Sequence, residues 1–311
     1  MEPILQIEHL SITFTQYSRG ARRRELPVIR DLSLSLSPGE VTAVVGASGS
    51  GKSLLAHAIL GLLPYNSRRE GSILYKGQEL TPRRLEKLRG REISLVPQGV
   101  TYLDPLMKVG PQLTQGRRDI DTRRRAQKAL SRYGLGPETE RRYPFQLSGG
   151  MARRVLMASA MMESPQLIIA DEPTPGLDAQ AAGRLLGHFR ELAQEGAAVL
   201  FITHDLELAL TVAHRVAVFY AGETIEEALA SDFEAGSLRH PFTQALWDAL
   251  PQRGFRPIPG SQPYPGEVGE GCPFLGQCPH PGADCAQGPL PLRPFQGGAV
   301  RCLYPNKEVA P

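Results

Sequence analysis

Gly46-Ala47-Ser48-Gly49-Ser50-Gly51-Lys52-Ser53 stands between two different kinds of sequence. Ahead of it, Val41 to Val45 is a short β-branched run that reads as a buried strand. Behind it, Leu54 to Leu63 carries apolar residues at helical spacing and stops before Pro64, since the residue preceding proline is pushed out of helical geometry. The pattern G-x-x-x-x-G-K-[ST] between a strand and a helix is a phosphate cradle. Its backbone N–H groups and the helix N-terminus face a phosphate, and glycines allow the close approach. Lys52 is then placed to reach β- and γ-phosphates, and the Ser53 hydroxyl to ligate Mg²⁺. Average residue usage gives about 0.02 chance matches in a chain of this length, so the motif alone predicts ATP-type nucleotide binding.

Further β-branched runs recur on both sides: Ile4–Ile7, Ile93–Val96, Leu167–Ala170, Val199–Ile202 and Val216–Phe219. Helical patterns separate them, which predicts an α/β fold whose sheet is largely parallel in its centre. Residues 99–146 are rich in Arg, Leu and Ala with no strand signal and are expected to form a helical insertion. After Ala235 the composition shifts to Pro, Gly and Cys, which places a boundary near Ser237 to Pro241, with one domain over 1–236 and an extension over 237–311. No internal repeat is visible.

Leu167-Ile168-Ile169-Ala170-Asp171-Glu172 reads as a buried strand delivering two carboxylates at its C-terminal end. Alone, a strand ending in Asp-Glu is more often an exposed turn. Beside a phosphate cradle it becomes a hydrolysis site, with Asp171 supporting Mg²⁺ and Glu172 as general base toward water. Adjacent strand residues project to opposite sides and can divide those tasks.

Taken in order, the motifs resemble the ABC ATPases. Leu147-Ser148-Gly149-Gly150-Met151 resembles the family signature L-S-G-G-Q, Gln98 the Q-loop glutamine, Pro175-Gly176-Leu177-Asp178 the D-loop, and His204 the switch histidine. In isolation each has a plainer reading: Ser-Gly-Gly as a flexible turn, His204 as a strand-end histidine, Gln98 as a loop amide. Together, the resemblance implies a P-loop ABC core of mixed sheet with flanking helices, a helical subdomain over about 99–146, and a small Cys-containing C-terminal extension. It implies that Gln98 and His204 serve the γ-phosphate and attacking water, with Gln98 also at Mg²⁺, and that Ser148, Gly149, Gly150 and Asp178 face the nucleotide of an opposite subunit. Met151 replaces the usual signature glutamine, and Gly176 a more usual small or hydroxyl residue. An aromatic is expected to stack on adenine; Phe14 fits the spacing, Tyr17 is also available, and the plainer role for Phe14 is core.

The chain has 311 residues, 35 basic and 32 acidic, a near balance that gives no reason to expect nucleic acid as partner. Short arginine runs such as Arg22–Arg24 and Arg123–Arg125 read as solvated faces. Met1 to Glu8 has no basic segment leading into a long apolar stretch, so no export signal is expected. The longest apolar run, Ala197 to Ile202, is too short to cross a bilayer, and a membrane role is expected to go through partners.

All four cysteines lie late, at Cys272, Cys278, Cys285 and Cys302, spaced C-x₅-C-x₆-C-x₁₆-C. Four thiolates enclose either zinc or an iron–sulfur cluster, and spacing does not decide between them or metal-free thiols. With His240-Pro241-Phe242-Thr243-Gln244-Ala245-Leu246, the tail resembles the C-terminal extension of oligopeptide, dipeptide and nickel importer ATPases. That resemblance favours a [4Fe–4S] cluster. It further implies a second, often paralogous, ATPase chain, two transmembrane permease subunits, an extracytoplasmic binding protein, and a place on the cytoplasmic face of the inner membrane. A non-transport ABC ATPase of nucleic-acid repair or translation shares the core motifs, but such proteins usually carry a long coiled-coil insertion or two ATPase domains, and neither is visible here.

Overall fold

The computed structural model describes residues 2–17, 23–47, 49–258 and 260–306. The strands run β1 (Leu5–Tyr17), β2 (Arg23–Leu36), β3 (Val41–Gly46), β4 (Ser67–Tyr75), β5 (Gln78–Glu79), β6 (Ile93–Val96), β7 (Leu167–Asp171), β8 (Ala198–Thr203), β9 (Arg215–Tyr220), β10 (Glu223–Leu229), β11 (Arg293–Phe295) and β12 (Gly298–Val300). The helices are α1 (Lys52–Ile59), α2 (Pro82–Leu88), α3 (Val109–Leu113), α4 (Ile120–Arg132), α5 (Gly149–Ala160), α6 (Ala179–Gln194), α7 (Leu206–Leu210), α8 (Ala230–Glu234) and α9 (Pro241–Asp248).

Eight strands form a central sheet in the order β11-β12-β10-β9-β3-β8-β7-β6, and four form a second sheet, β2-β1-β4-β5. The neighbours from β9 through β3, β8 and β7 to β6 pair in parallel, as the apolar runs predict. Alternating residues of these strands feed two cores, because successive side chains point to opposite faces. Val44, Leu167, Ile169, Leu200 and Ile202 meet α1 and the antiparallel sheet on one side; Val45, Ile168, Ala170, Val199 and Phe201 meet α6 and α9 on the other. A third cluster, including Val109, Leu130, Val155 and Leu156, holds the helical subdomain of α3, α4 and α5 together.

Beyond the start of β1, which the run Ile4–Ile7 marks, the antiparallel strands were not legible in the sequence, for a physical reason. β1, β2 and β4 have one wet face, so their burial alternates and no continuous apolar run marks them. β10, Glu-Thr-Ile-Glu-Glu-Ala-Leu, looks like surface sequence yet is almost wholly buried. Its three glutamates are matched by arginines from elsewhere: Glu223 by Arg30 and Arg301, Glu226 by Arg239, Glu227 by Arg215. Beyond residue 237 the tail is tied into this body. β12 pairs with β10, and the buried Arg301 donates to Asp31 Oδ2 at 3.0 Å and to the Thr224 carbonyl at 3.0 Å.

The Glu226 node is the most buried of these ion pairs. Its carboxylate accepts from the backbone N–H of Arg239 (2.8 Å) and His240 (2.7 Å) and from the Arg239 guanidinium (3.3 Å), which also bonds Asp232 at 2.9 Å. Arg239 is 2% exposed and Glu226 fully buried, so removing one partner strands a buried charge. Glu226→Ala should therefore lower unfolding free energy by about 3–5 kcal/mol. Urea denaturation followed by the fluorescence of the single tryptophan, Trp247, measures this; an unchanged midpoint would refute it.

Candidate nucleotide-hydrolysis site

The phosphate loop begins where β3 leaves the sheet. A Cβ on Gly46 would stand 2.4 Å from the Phe219 carbonyl oxygen, so only glycine lets the chain pass β9 there. Gly51 caps α1 with φ +96°, a left-handed conformation, and no side chain caps the helix, which leaves its first N–H groups directed at the loop. Gly46, Ala47, Gly49, Ser50, Gly51, Lys52 and Ser53 take the expected positions; Ser48 lies outside the described residues.

Lys52 is only 6% exposed, and its ammonium donates to the carbonyls of Gly46 and Ala47 at 2.8 Å each and to Ser50 Oγ at 3.5 Å. Burial lowers its pKa, opposed by the charges of Glu172 and Asp171. Asp171, 5% exposed at the end of β7, is raised by burial, while the Ser53 hydroxyl, which donates to its Oδ1 at 3.2 Å, pulls the other way. Both shifts come chiefly from burial, which the opposite charges nearby offset only in part. A phosphate stabilises the ammonium and a divalent cation the carboxylate. Ser53 and Asp171 present hard oxygen donors side by side, a set that fits Mg²⁺.

Two expected residues converge on Glu172. Gln98 Nε2 donates to Oε2 at 3.2 Å, and His204 Nδ1 lies 3.1 Å from Oε1. Glu172 itself has φ +43°, unusual for a side chain with a Cβ and costing about 1–3 kcal/mol. Its N–H bonds the Ile202 carbonyl at 2.9 Å and its own carbonyl accepts from Arg153 at 2.9 Å, so the strained residue is held on every side. Arg153 was not singled out in the sequence; an arginine one turn into a helix carries no signal of its long reach.

The remaining residues face outward. Ser148 caps α5 by accepting from Met151 N at 3.2 Å, and Ser148 and Gly149 are exposed. Asp178 caps α6 by accepting from Ala181 N at 2.8 Å. Among the described residues neither is a hydrogen-bond partner of Lys52, whose ammonium bonds only Gly46, Ala47 and Ser50. Phe14 is partly buried against the core and pairs with Leu26, whereas Tyr17, at the strand end, is 69% exposed.

In the tail, Cys272, Cys278, Cys285 and Cys302 are free thiols that line one cavity of about 10 Å³ together with His240, Phe274 and His280. Burial pushes the Cys272 thiol up to about 11 and raises Cys278 and Cys302. Among the described residues, no three His, Cys, Asp or Glu side chains stand as a ready metal site. His240 was read only as part of the extension's opening segment; in the structure its ring stands at this cavity wall, with Nδ1 accepting from Phe242 N at 3.0 Å.

A buried lysine in a strand–loop–helix turn, a carboxylate pair at a strand end and a serine-capped helix start at the surface form the arrangement expected of an ABC-type ATPase. Comparison with known proteins agrees: residues 29–175 match the ABC transporter family and 225–285 the oligopeptide/dipeptide transporter C-terminal region. The oligopeptide transport ATP-binding protein OppD of Salmonella typhimurium is 35% identical over 98% of this chain and 95% of its own. The dipeptide transport ATP-binding protein DppD of Bacillus subtilis is 35% identical over 90% and 88%. Among solved structures, a dimeric post-hydrolysis state of the ATP-binding cassette MJ0796 bound to ADP and Pi superposes with TM-score 0.63 at 26% identity, covering 73% of this chain and 98% of that one. The chain belongs to the ABC transporter ATP-binding family and is an ATPase.

With Glu172 as base, Glu172→Gln should bind ATP normally while turnover falls by at least about 100-fold, because the proton acceptor is lost and the nucleotide contacts remain. Steady-state phosphate release beside an ATP-binding assay checks this; undiminished hydrolysis would remove Glu172 from the role.

Proposed function

We propose that this chain is the ATP-hydrolysing motor of a peptide importer. The observation that carries the reading is the joining of a complete cradle-and-base arrangement to a His240–Cys302 tail packed on the same sheet, the tail region that matches oligopeptide and dipeptide transporters. Lys52 and the α1 N-terminus bind the phosphates. Ser53 and Asp171 would hold Mg²⁺, with the Gln98 amide oxygen as a further ligand, and the ion would supply charge neutralisation for the phosphates. Glu172 takes the proton of the attacking water, and His204 keeps that carboxylate and the γ-phosphate aligned. Phe14 or the more exposed Tyr17 stacks on adenine.

Ser148, Gly149, Gly150 and Asp178 complete the site of a second ATPase subunit, which explains why they cap their helices at the surface. Among the described residues no helix is long and apolar enough to cross a membrane. The motor works at the inner face of the membrane through two permease subunits, supplied by an external binding protein, as the likeness to peptide-transport ATP-binding proteins suggests. ATP drives closure because it binds the closed pair better than the open one. Peptides are the favoured cargo; nickel or metal chelates, carried by importers with similar tails, are the comparison. In cells, uptake of labelled peptide should be lost with Lys52→Ala, while Ni²⁺ uptake is unaffected; loss of Ni²⁺ uptake alone would reverse the cargo.

The four thiols make a donor set suited to a [4Fe–4S] cluster. They line one cavity together with His240 and His280, and thiolate sulfur is the donor that such a cluster takes. Cys272, Cys278, Cys285 and Cys302 would hold the cluster, which would cross-link the tail. Anaerobically purified protein should contain iron and labile sulfide and absorb broadly in the visible, with the absorption lost in Cys→Ser variants. Zinc without sulfide would replace the cluster by a Cys₄ zinc site, and absence of both metals would end the proposal.

A further inference from the structure

Two neighbouring arginines on α5 reach in opposite directions. Arg154 turns into the helical subdomain, with Nε 3.3 Å from the Gly150 carbonyl and NH1 3.3 Å from the carbonyls of Tyr133 and Gly134. Arg153 turns to the catalytic centre. Its NH1 donates to the Glu172 carbonyl at 2.9 Å and its NH2 to the Gln98 carbonyl at 2.7 Å. One guanidinium therefore spans two peptides that are 74 residues apart in sequence and whose side chains already bond each other.

The consequence lies in the backbone. Glu172 is held at φ +43°, and a peptide in that conformation returns to a relaxed one unless its neighbours fix it. Ile202 fixes its N–H, and Arg153 its carbonyl. The planar fork can serve both carbonyls at once, which a lysine ammonium on a flexible stem does not do with the same geometry. Arg153 also lies about one turn from Gly149, on the helix whose start is offered to the second subunit's nucleotide.

We infer that Arg153 is a positioning residue for hydrolysis, a clamp that holds the Glu172 and Gln98 peptides as one unit and lets the signature helix set the aim of the base. The inference rests on Glu172 as the base. It connects the outward-facing anion site on α5 with the chain's own catalytic loop: a displacement of α5 when the second nucleotide is gripped moves both peptides together. Among the described residues the hydrogen-bond partners of Arg153 are the Glu172 and Gln98 carbonyls and none is in the phosphate loop, so it acts on turnover and leaves nucleotide affinity alone.

The test uses the full-length chain with Arg153→Met, which keeps an apolar stem and removes the fork, and Arg153→Lys, which keeps the charge. Steady-state ATPase, ATP affinity and thermal melting are measured for each, with Glu172→Gln alongside to test the base assignment on its own. We expect kcat to fall about 10- to 100-fold in both variants, the range for catalytic groups misplaced by about an ångström, with ATP affinity within about 3-fold of wild type and melting preserved. Wild-type kcat in Arg153→Lys would overturn the clamp, leaving charge or packing as the whole contribution. Parallel losses of affinity, melting temperature and kcat would likewise overturn it in favour of a purely structural role. If Arg153→Met fails to fold, Arg153→Lys decides by the same criteria, and full turnover in Glu172→Gln would remove the reading on which the clamp depends.

Discussion

A nearly buried ammonium with no carboxylate in its first contacts organises this protein. Lys52 satisfies itself on the carbonyls of Gly46 and Ala47, both within the loop that holds it. Burying a charge is costly unless it is paired, and dipoles compensate only partly, as the lowered pKa shows. The loop is thus built around a cation that gains most when a phosphate enters. Everything nearby serves that geometry: Gly46 to pass β9, Gly51 to turn the chain into α1, and β3 flanked by β8 and β9 to fix where the loop starts.

The carboxylate side complements it. Asp171 and Glu172 leave β7 next to one another, yet their environments differ. Asp171 is sealed beneath Ser53; Glu172 is gripped by Gln98, His204, Arg153 and the Ile202 carbonyl in a strained backbone. Charges of both signs are left short of counter-charge within one cleft, and Mg²⁺ with a nucleotide supplies both deficits.

Much of this was legible in the sequence because the informative residues are local. Parallel central strands are buried on both faces, so Val41–Val45, Ile93–Val96 and Leu167–Ala170 advertise themselves as apolar runs, and the glycines of 46–51 mark the loop. The antiparallel sheet showed only at Ile4–Ile7, because the rest of β1, with β2 and β4, spreads its apolar residues over alternate positions. β10 was misleading for a different reason: Glu223, Glu226 and Glu227 are buried only because Arg30, Arg301, Arg239 and Arg215, distant in sequence, meet them. Arg153 belongs to the same class. Its importance depends on Gln98 and Glu172 arriving at its tip, and no spacing rule records that. The cysteines occupy the middle ground: their clustering was evident, while their shared cavity with His240 needed the fold.

The central claim is that Lys52 exists to meet a nucleotide's phosphates. Calorimetric titration of Mg²⁺ with a non-hydrolysable ATP analogue into wild-type and Lys52→Ala protein tests it most directly. The account predicts weakening of at least about 100-fold on removing the ammonium, near 2.7 kcal/mol. Equal dissociation constants for the two proteins would contradict it.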